Sequence, residues 1–165
     1  MKSFAISLAL VGCMITTGHA QEKALSTYQL LTPATAVEIT QAALKACSEA
    51  GYQVAVAVVD RMGVAQAMIR DRFAGPHTPE TAVRKAWTAV SFRTDTLSLS
   101  DATKAGSPQA GARFVSNALM IGGGVPINAG GSMVAGVGVS GAPGGVADDD
   151  CARAGIAAVQ DKLDF

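Results

Sequence analysis

The sequence predicts one α+β domain, an antiparallel sheet covered by helices. Two observations predict it. Two pairs of apolar runs, within residues 52–70 and 125–140, are each joined by a short glycine-containing turn, which makes hairpins and leaves no length for a crossover. Helical periodicity brackets and separates these hairpins, so the order is helix, hairpin, helices, hairpin, helix. The alternation of strand and long helix that a doubly wound sheet requires does not occur.

The N-terminus comes first. Lys2 is followed by a short apolar stretch from Phe4 to Gly12, extending toward Ile15, and then by Gly18-His19-Ala20 with small residues at −3 and −1 of a cut before Gln21. Charge, apolar core and small-residue site are the pattern of a secretory signal peptide over residues 1–20, and the stretch is too short to cross the hydrocarbon core as an anchor. Leu10-Val11-Gly12-Cys13 also has the form of a lipobox, which would make Cys13 a lipidated N-terminus. A periplasmic or secreted destination, free or lipid-tethered, is expected. Removing residues 1–20 from the 165 leaves 145, enough for one domain with its own core and no staple.

Residues 21–31 are a polar, mixed leader. Thr32-Pro33 reads as N-cap and first helical position, Val37, Ile39, Ala43, Leu44 and Cys47 as the apolar face, and Gly51 as the stop, so a helix is predicted from Pro33 to Ala50. Tyr52 to Val59 is dense in valine and reads as a buried strand; Asp60-Arg61-Met62-Gly63 turns it back into a second strand from Val64 to Arg70. After a loop from Asp71 to His77, Thr78 as N-cap and Pro79 at the first position open a helix that carries Val83, Ala86, Trp87 and Val90 on one face and ends near Arg93. Thr94 to Gly106 admits two short turns or a short helix, and Ser107-Pro108 opens another brief helix. Val125-Pro126-Ile127 reads as a short edge strand because proline cannot donate to a ladder. Asn128 to Gly131 is a turn. Ser132 to Ser140 alternates valine or methionine with small residues, a core strand whose glycines admit another backbone or a ligand. The last helix carries Asp148-Asp149-Asp150 in its first turn, where acids complement the macrodipole, and buries Ala152, Ile156, Val159 and Leu163.

Charge and composition exclude several function classes. Lys and Arg number 13 and Asp and Glu number 13, with no basic stripe or aromatic platform for nucleic acid. Without His19 and Cys13, the mature chain keeps one histidine, His77, and two cysteines, Cys47 and Cys151. One histidine rules out a multi-histidine metal site within a subunit. The cysteines form a disulfide in an oxidising compartment or are two buried helical thiols; sequence leaves both open. Gly138-Val139-Ser140-Gly141 is not a nucleophile elbow, because Ala142 stands where the second glycine belongs.

Several segments, taken together and in order, resemble the GlcG/HbpS family. Val54 to Asp60 with Gly63 is similar to its hairpin. Gly75-Pro76-His77-Thr78 followed by Arg84-Lys85-Ala86-Trp87-Thr88-Ala89 is similar to its central helix. Gly123-Gly124-Val125-Pro126-Ile127 resembles its glycine–proline turn, and Gly136 to Ala142 with Asp148-Asp149-Asp150 its C-terminal end. The likeness runs from about Leu30 to Leu163, with residues 32–165 as the domain. It implies a profilin-like α+β fold with a five-stranded antiparallel sheet, homo-oligomers, and haem as the bound group. It further implies a role in haem or iron handling, with haem degradation, or a small-carboxylate-binding accessory role without haem, as the alternatives.

Haem requires an apolar slot, an axial ligand or open iron, and cations for its propionates. The resemblance makes His77 the candidate iron ligand and Thr78 a second contact; a loop histidine that orders its turn, and a threonine that caps a helix, are the competing roles. Arg72, Arg84 and Lys85 are candidates for the propionates or for a solvated face. Gly122-Gly123-Gly124 with Pro126 offers backbone N–H groups and a flat wall. Met68, Met120 and Met133 are expected in the core. The helix start at Thr78, beside a histidine and an arginine, would equally take a small carboxylate.

Overall fold

The computed structural model describes residues 24–164. The expected signal peptide, its cleavage site and the Cys13 lipobox lie outside the described residues. The elements are α1 (Pro33–Glu49), β1 (Ala55–Asp60), β2 (Ala65–Arg70), α2 (Thr78–Phe92), α3 (Thr96–Ala102), a 3-10 turn (Ala110–Phe114), β3 (Gly124–Ala129), β4 (Ser132–Ser140), α4 (Gly145–Ala157) and α5 (Gln160–Leu163). No helix among the described residues is long and apolar enough to cross a membrane.

The sheet is antiparallel, in the order β2-β1-β4-β3. It has four strands rather than the five that the resemblance implied. Residues 103–123 form turns and the 3-10 segment, their apolar residues Phe114-Val115 and Ala118 to Ile121 falling in short runs broken by polar residues and glycine. Pro126 lies on β3, an edge strand, as its missing N–H requires.

The two faces of the sheet differ in side-chain size, and this sets the layers. On one face Val54, Val56, Val58, Val137 and Val139 form the main core with Ile39, Ala43 and Cys47 of α1 and Cys151 and Ala152 of α4. On the other face stand Ala55, Ala57 and Val59, paired across β4 with Ser140, Gly138 and Gly136. That face is shallow, so α2 comes down onto the strand backbone. A Cβ at Gly138 would lie 2.0 Å from the Ala82 carbonyl oxygen. The open choice at these glycines is therefore settled as the close approach of a backbone, that of α2.

Cys47 and Cys151 are joined by a disulfide, with Cα atoms 5.5 Å apart, linking α1 to α4. α1 buries Ala36, Ile39, Thr40, Ala43 and Cys47, while Val37 is exposed. The buried stripe includes Thr40 because its hydroxyl donates to the Ala36 carbonyl 2.6 Å away, so the polar group is satisfied within the helix. Met120 is buried and Met133 half-buried, but Met68 is exposed on the edge strand β2.

Candidate functional site

The close packing of α2 on β4 places the start of α2 over the end of that strand, where α4 also begins. A cleft of about 440 Å³ opens there, lined by His77, Thr78, Thr81, Arg84 and Lys85, by Leu119 and Ile121, and by Ser140 to Ala142 with Gly144, Gly145 and Asp148. Of the residues expected from sequence, His77, Thr78, Arg84 and Lys85 meet in this cleft.

His77 occupies the N-cap position of α2 but makes no side-chain capping bond, and it is exposed. Its ring lies against Gly75, where a Cβ would fall 2.8 Å from His77 Cε1. Its carbonyl accepts from the Thr81 N–H at 3.1 Å and the Thr81 hydroxyl at 2.9 Å. Thr78 is not the N-cap. It is the first helical residue, buried, and its hydroxyl donates to the Gly75 carbonyl at 2.8 Å. The reason is the preceding turn, which brings the Gly75 carbonyl back over Thr78.

Lys85 is 1 % exposed and forms the floor of the cleft. Its ammonium donates to Asp148 Oδ2 at 2.7 Å and to the Val139 carbonyl at 2.9 Å. The other carboxylate oxygen accepts the Ala142 N–H at 3.0 Å. Burial pushes the Asp148 carboxyl above its ordinary 3.8, against the opposing pull of the Lys85 ammonium and of the Ala142 and Gly141 amides. Lys85 is therefore committed to an internal ion pair and is not a free cation for a propionate. Sequence reasoning placed Asp148 as a complement to the helix dipole and in the C-terminal family segment, and missed this partnership.

Arg84 donates to the Ala118 carbonyl at 3.1 Å and reaches the Asn117 carbonyl at 3.4 Å, which holds the 117–121 segment against α2. Thr88, also missed from sequence, supports the same segment by accepting the Leu119 N–H at 2.9 Å. The Arg84 side chain remains 39 % exposed and meets only the exposed Glu80, one helical turn away at 4.0 Å, so it is the cation left on the cleft wall. α4 begins at the rim with Gly144 as an N-cap that supplies no side chain, so its first amides carry partial positive charge toward this end of the molecule.

The glycine–proline segment does not line the cleft. Gly123 and Gly124 are buried behind the ion pair rather than on the cleft wall. A Cβ at Gly123 would lie 2.6 Å from the Asp148 Cβ, and one at Gly124 would lie 2.3 Å from the Lys85 carbonyl oxygen. The Gly124 N–H is taken by the Thr96 hydroxyl at 2.8 Å. Pro126 faces a separate groove with Arg153 and Ile156. Arg72 is outside the cleft, its guanidinium 5.2 Å from the centre of the Phe73 ring. These glycines are spacers that let β3 and β4 pass beside α2 and α4.

Comparison with known proteins agrees with this fold. A family model described as haem degrading protein HbpS-like matches residues 31–157. The corrinoid adenosyltransferase PduO of Salmonella typhimurium is 33 % identical over 125 residues, 74 % of this chain, which spans only 37 % of that relative's length. A crystal structure of a double mutant of Streptomyces reticuli HbpS superposes with a TM-score of 0.76 at 35 % identity, covering 94 % of this chain and 97 % of the other. A crystal structure of a PduOC:heme complex gives 0.73 at 30 % identity, covering 79 % and 95 %. With its motifs in order and its fold shared over most of its length, this chain belongs to the HbpS-like family.

Proposed function

We propose that this is an exported protein that binds haem in the His77 cleft. The observation that carries the reading is an exposed imidazole, without a capping role, on a cleft whose other wall is the apolar pair Leu119 and Ile121. The volume of about 440 Å³ lies within the usual range for small-molecule pockets, roughly 300–1,000 Å³. The residues present fit the group: His77 would hold the iron, Leu119 and Ile121 would cover an apolar edge, and Arg84 with the first amides of α4 would face the propionates. When bound, haem supplies a redox-active iron. The chain's own contribution is to orient the imidazole through the Gly75–Thr78 turn and to keep Lys85 neutralised by Asp148, so that one cation, Arg84, remains on the wall.

The test is haem titration of the mature protein. A saturable Soret shift that is lost or altered in His77→Ala is expected; no shift with micromolar haem would overturn the reading, and an unchanged spectrum in the variant would reject His77 as ligand. Following bleaching and iron release after adding a reductant or peroxide separates haem binding from haem degradation. A second reading, a small carboxylate in the same cleft, is favoured by the uncapped start of α4 beside Arg84. It predicts tight binding of an organic acid with no response to haem.

Export is supported by the Cys47–Cys151 disulfide, since such bonds persist in oxidising compartments. The mass of the mature N-terminus distinguishes Gln21 from a lipidated Cys13. A homo-oligomer, as the resemblance implies, is tested by light scattering of the mature chain.

A further inference from the structure

β4 is nine residues long, so its start lies roughly 26 Å from the His77 cleft at its end. A second concavity of about 310 Å³ opens at that start, lined by Arg61, Arg93, Asn128, Gly131, Ser132 and Met133. Two arginines come to it from different elements: Arg61 from the β1–β2 turn and Arg93 from the end of α2. Neither lies within 4.0 Å of a carboxylate among the described residues.

The nearby acids are engaged elsewhere. Asp60 accepts the Met62 and Val64 amides of its own turn, at 2.8 and 3.0 Å. Asp95 caps α3 through the Ser98 N–H at 2.8 Å and faces Arg153 at 3.9 Å. Arg61 is positioned, its guanidinium 4.2 Å from the centre of the Tyr28 ring. Arg93 sits at φ +52 as the C-cap of α2, a left-handed position that glycine fills at lower cost. An arginine held there against its backbone preference points to use of the side chain. Ser132 and Gly131, the latter at φ +74, add small polar groups to the lining.

We propose that this concavity is a second binding site, for a small oxyanion carrying two negative charges, gripped by Arg61 and Arg93. Two guanidiniums match the oxygen pairs of a phosphate group or of a dicarboxylate, and an ammonium would not reproduce that fork. The site is separate from the haem reading and stands or falls without it.

The test is calorimetric titration of the full mature protein with inorganic phosphate, and in a second arm with malonate, at constant ionic strength set by sodium chloride. Saturable binding is expected, weakened at least about tenfold in Arg61→Gln and in Arg93→Gly, since each removes one charge-assisted pair, and unchanged in Arg72→Gln. Tighter binding of phosphate than of malonate marks a tetrahedral ligand, and the reverse a dicarboxylate; either supports the site. Arg93→Gly should also raise the Tm by about 2 °C, because glycine relieves the left-handed residue. That rise shows that lost binding is not lost folding. No saturable signal in the parent, equal binding by Arg93→Gly, or equal weakening by Arg72→Gln overturns the proposal.

Discussion

Replacing Lys85 by methionine is the sharpest test of how the cleft is built. The substitution keeps much of the aliphatic volume and removes the ammonium. It leaves the Asp148 carboxylate, 4 % exposed, without its partner at 2.7 Å, and it frees the Val139 carbonyl. Breaking a buried pair from one side costs about 3–5 kcal/mol, because the remaining charge stays desolvated. Asp148→Asn should cost a similar amount, about 3 kcal/mol, by stranding an ammonium that is 1 % exposed, although the amide oxygen still accepts the Ala142 N–H. In the double variant no charge is stranded. Its cost should be no more than that of Lys85→Met alone, about 4 kcal/mol, rather than the sum of about 7, a coupling of at least about 3 kcal/mol. With a urea m-value of about 2 kcal/mol per M, each single variant moves the unfolding midpoint by roughly 1.5–2 M. Single costs below about 1 kcal/mol, or strict additivity in the double variant, would refute a buried, mutually dependent pair.

Reduction of Cys47–Cys151, or its replacement by two alanines, releases a sequence separation of 104 residues and should cost about 4.7 kcal/mol in the chain-entropy account, read as a lower urea midpoint; an unmoved midpoint would argue against the bond. Gly138→Ala places a methyl carbon 2.0 Å from the Ala82 carbonyl oxygen, so α2 and β4 must separate and stability should fall by about 2 kcal/mol or more, measured by thermal unfolding. Asp149 is 3 % exposed with Oδ1 unpartnered, and burial raises its carboxyl above the ordinary 3.8 despite the opposing Arg153 guanidinium. The folded state therefore holds this proton more tightly than the unfolded state, and its contribution to stability is present below pH 3.8 and lost as pH rises through the raised value. Asp149→Asn should remove that loss, so the stability of the variant relative to the parent improves as pH rises through the window; a constant difference would exclude Asp149 as the source.

Local pattern was legible where the physics is local. Thr32-Pro33 opens α1 as expected, with the Thr32 hydroxyl accepting the Thr35 N–H at 3.2 Å, and the first hairpin falls where its valines and Gly63 place it. The same reasoning misjudged Thr78, because a hydroxyl beside a helix start can donate backward as readily as it can cap forward, and the Gly75 carbonyl decides between them. It also put Val37 on the buried face of α1, where the face is instead turned toward Ala36 and Thr40 by docking on the sheet and α4.

The sequence by itself determined the α+β class, the two hairpins, the start of α1 and the residues His77, Thr78, Arg84 and Lys85 that do meet in one cleft. Only the tertiary structure decided that Lys85 is spent on Asp148, 63 residues away, that the two cysteines are joined, and that Gly123, Gly124 and Pro126 lie behind or away from the cleft. The reason is that periodicity and capping report contacts within a few residues, whereas these pairings depend on how closely α2 and α4 settle on the sheet. For α2 that distance is set by the glycines of β4, whose missing side chains state that something comes close but not what it is.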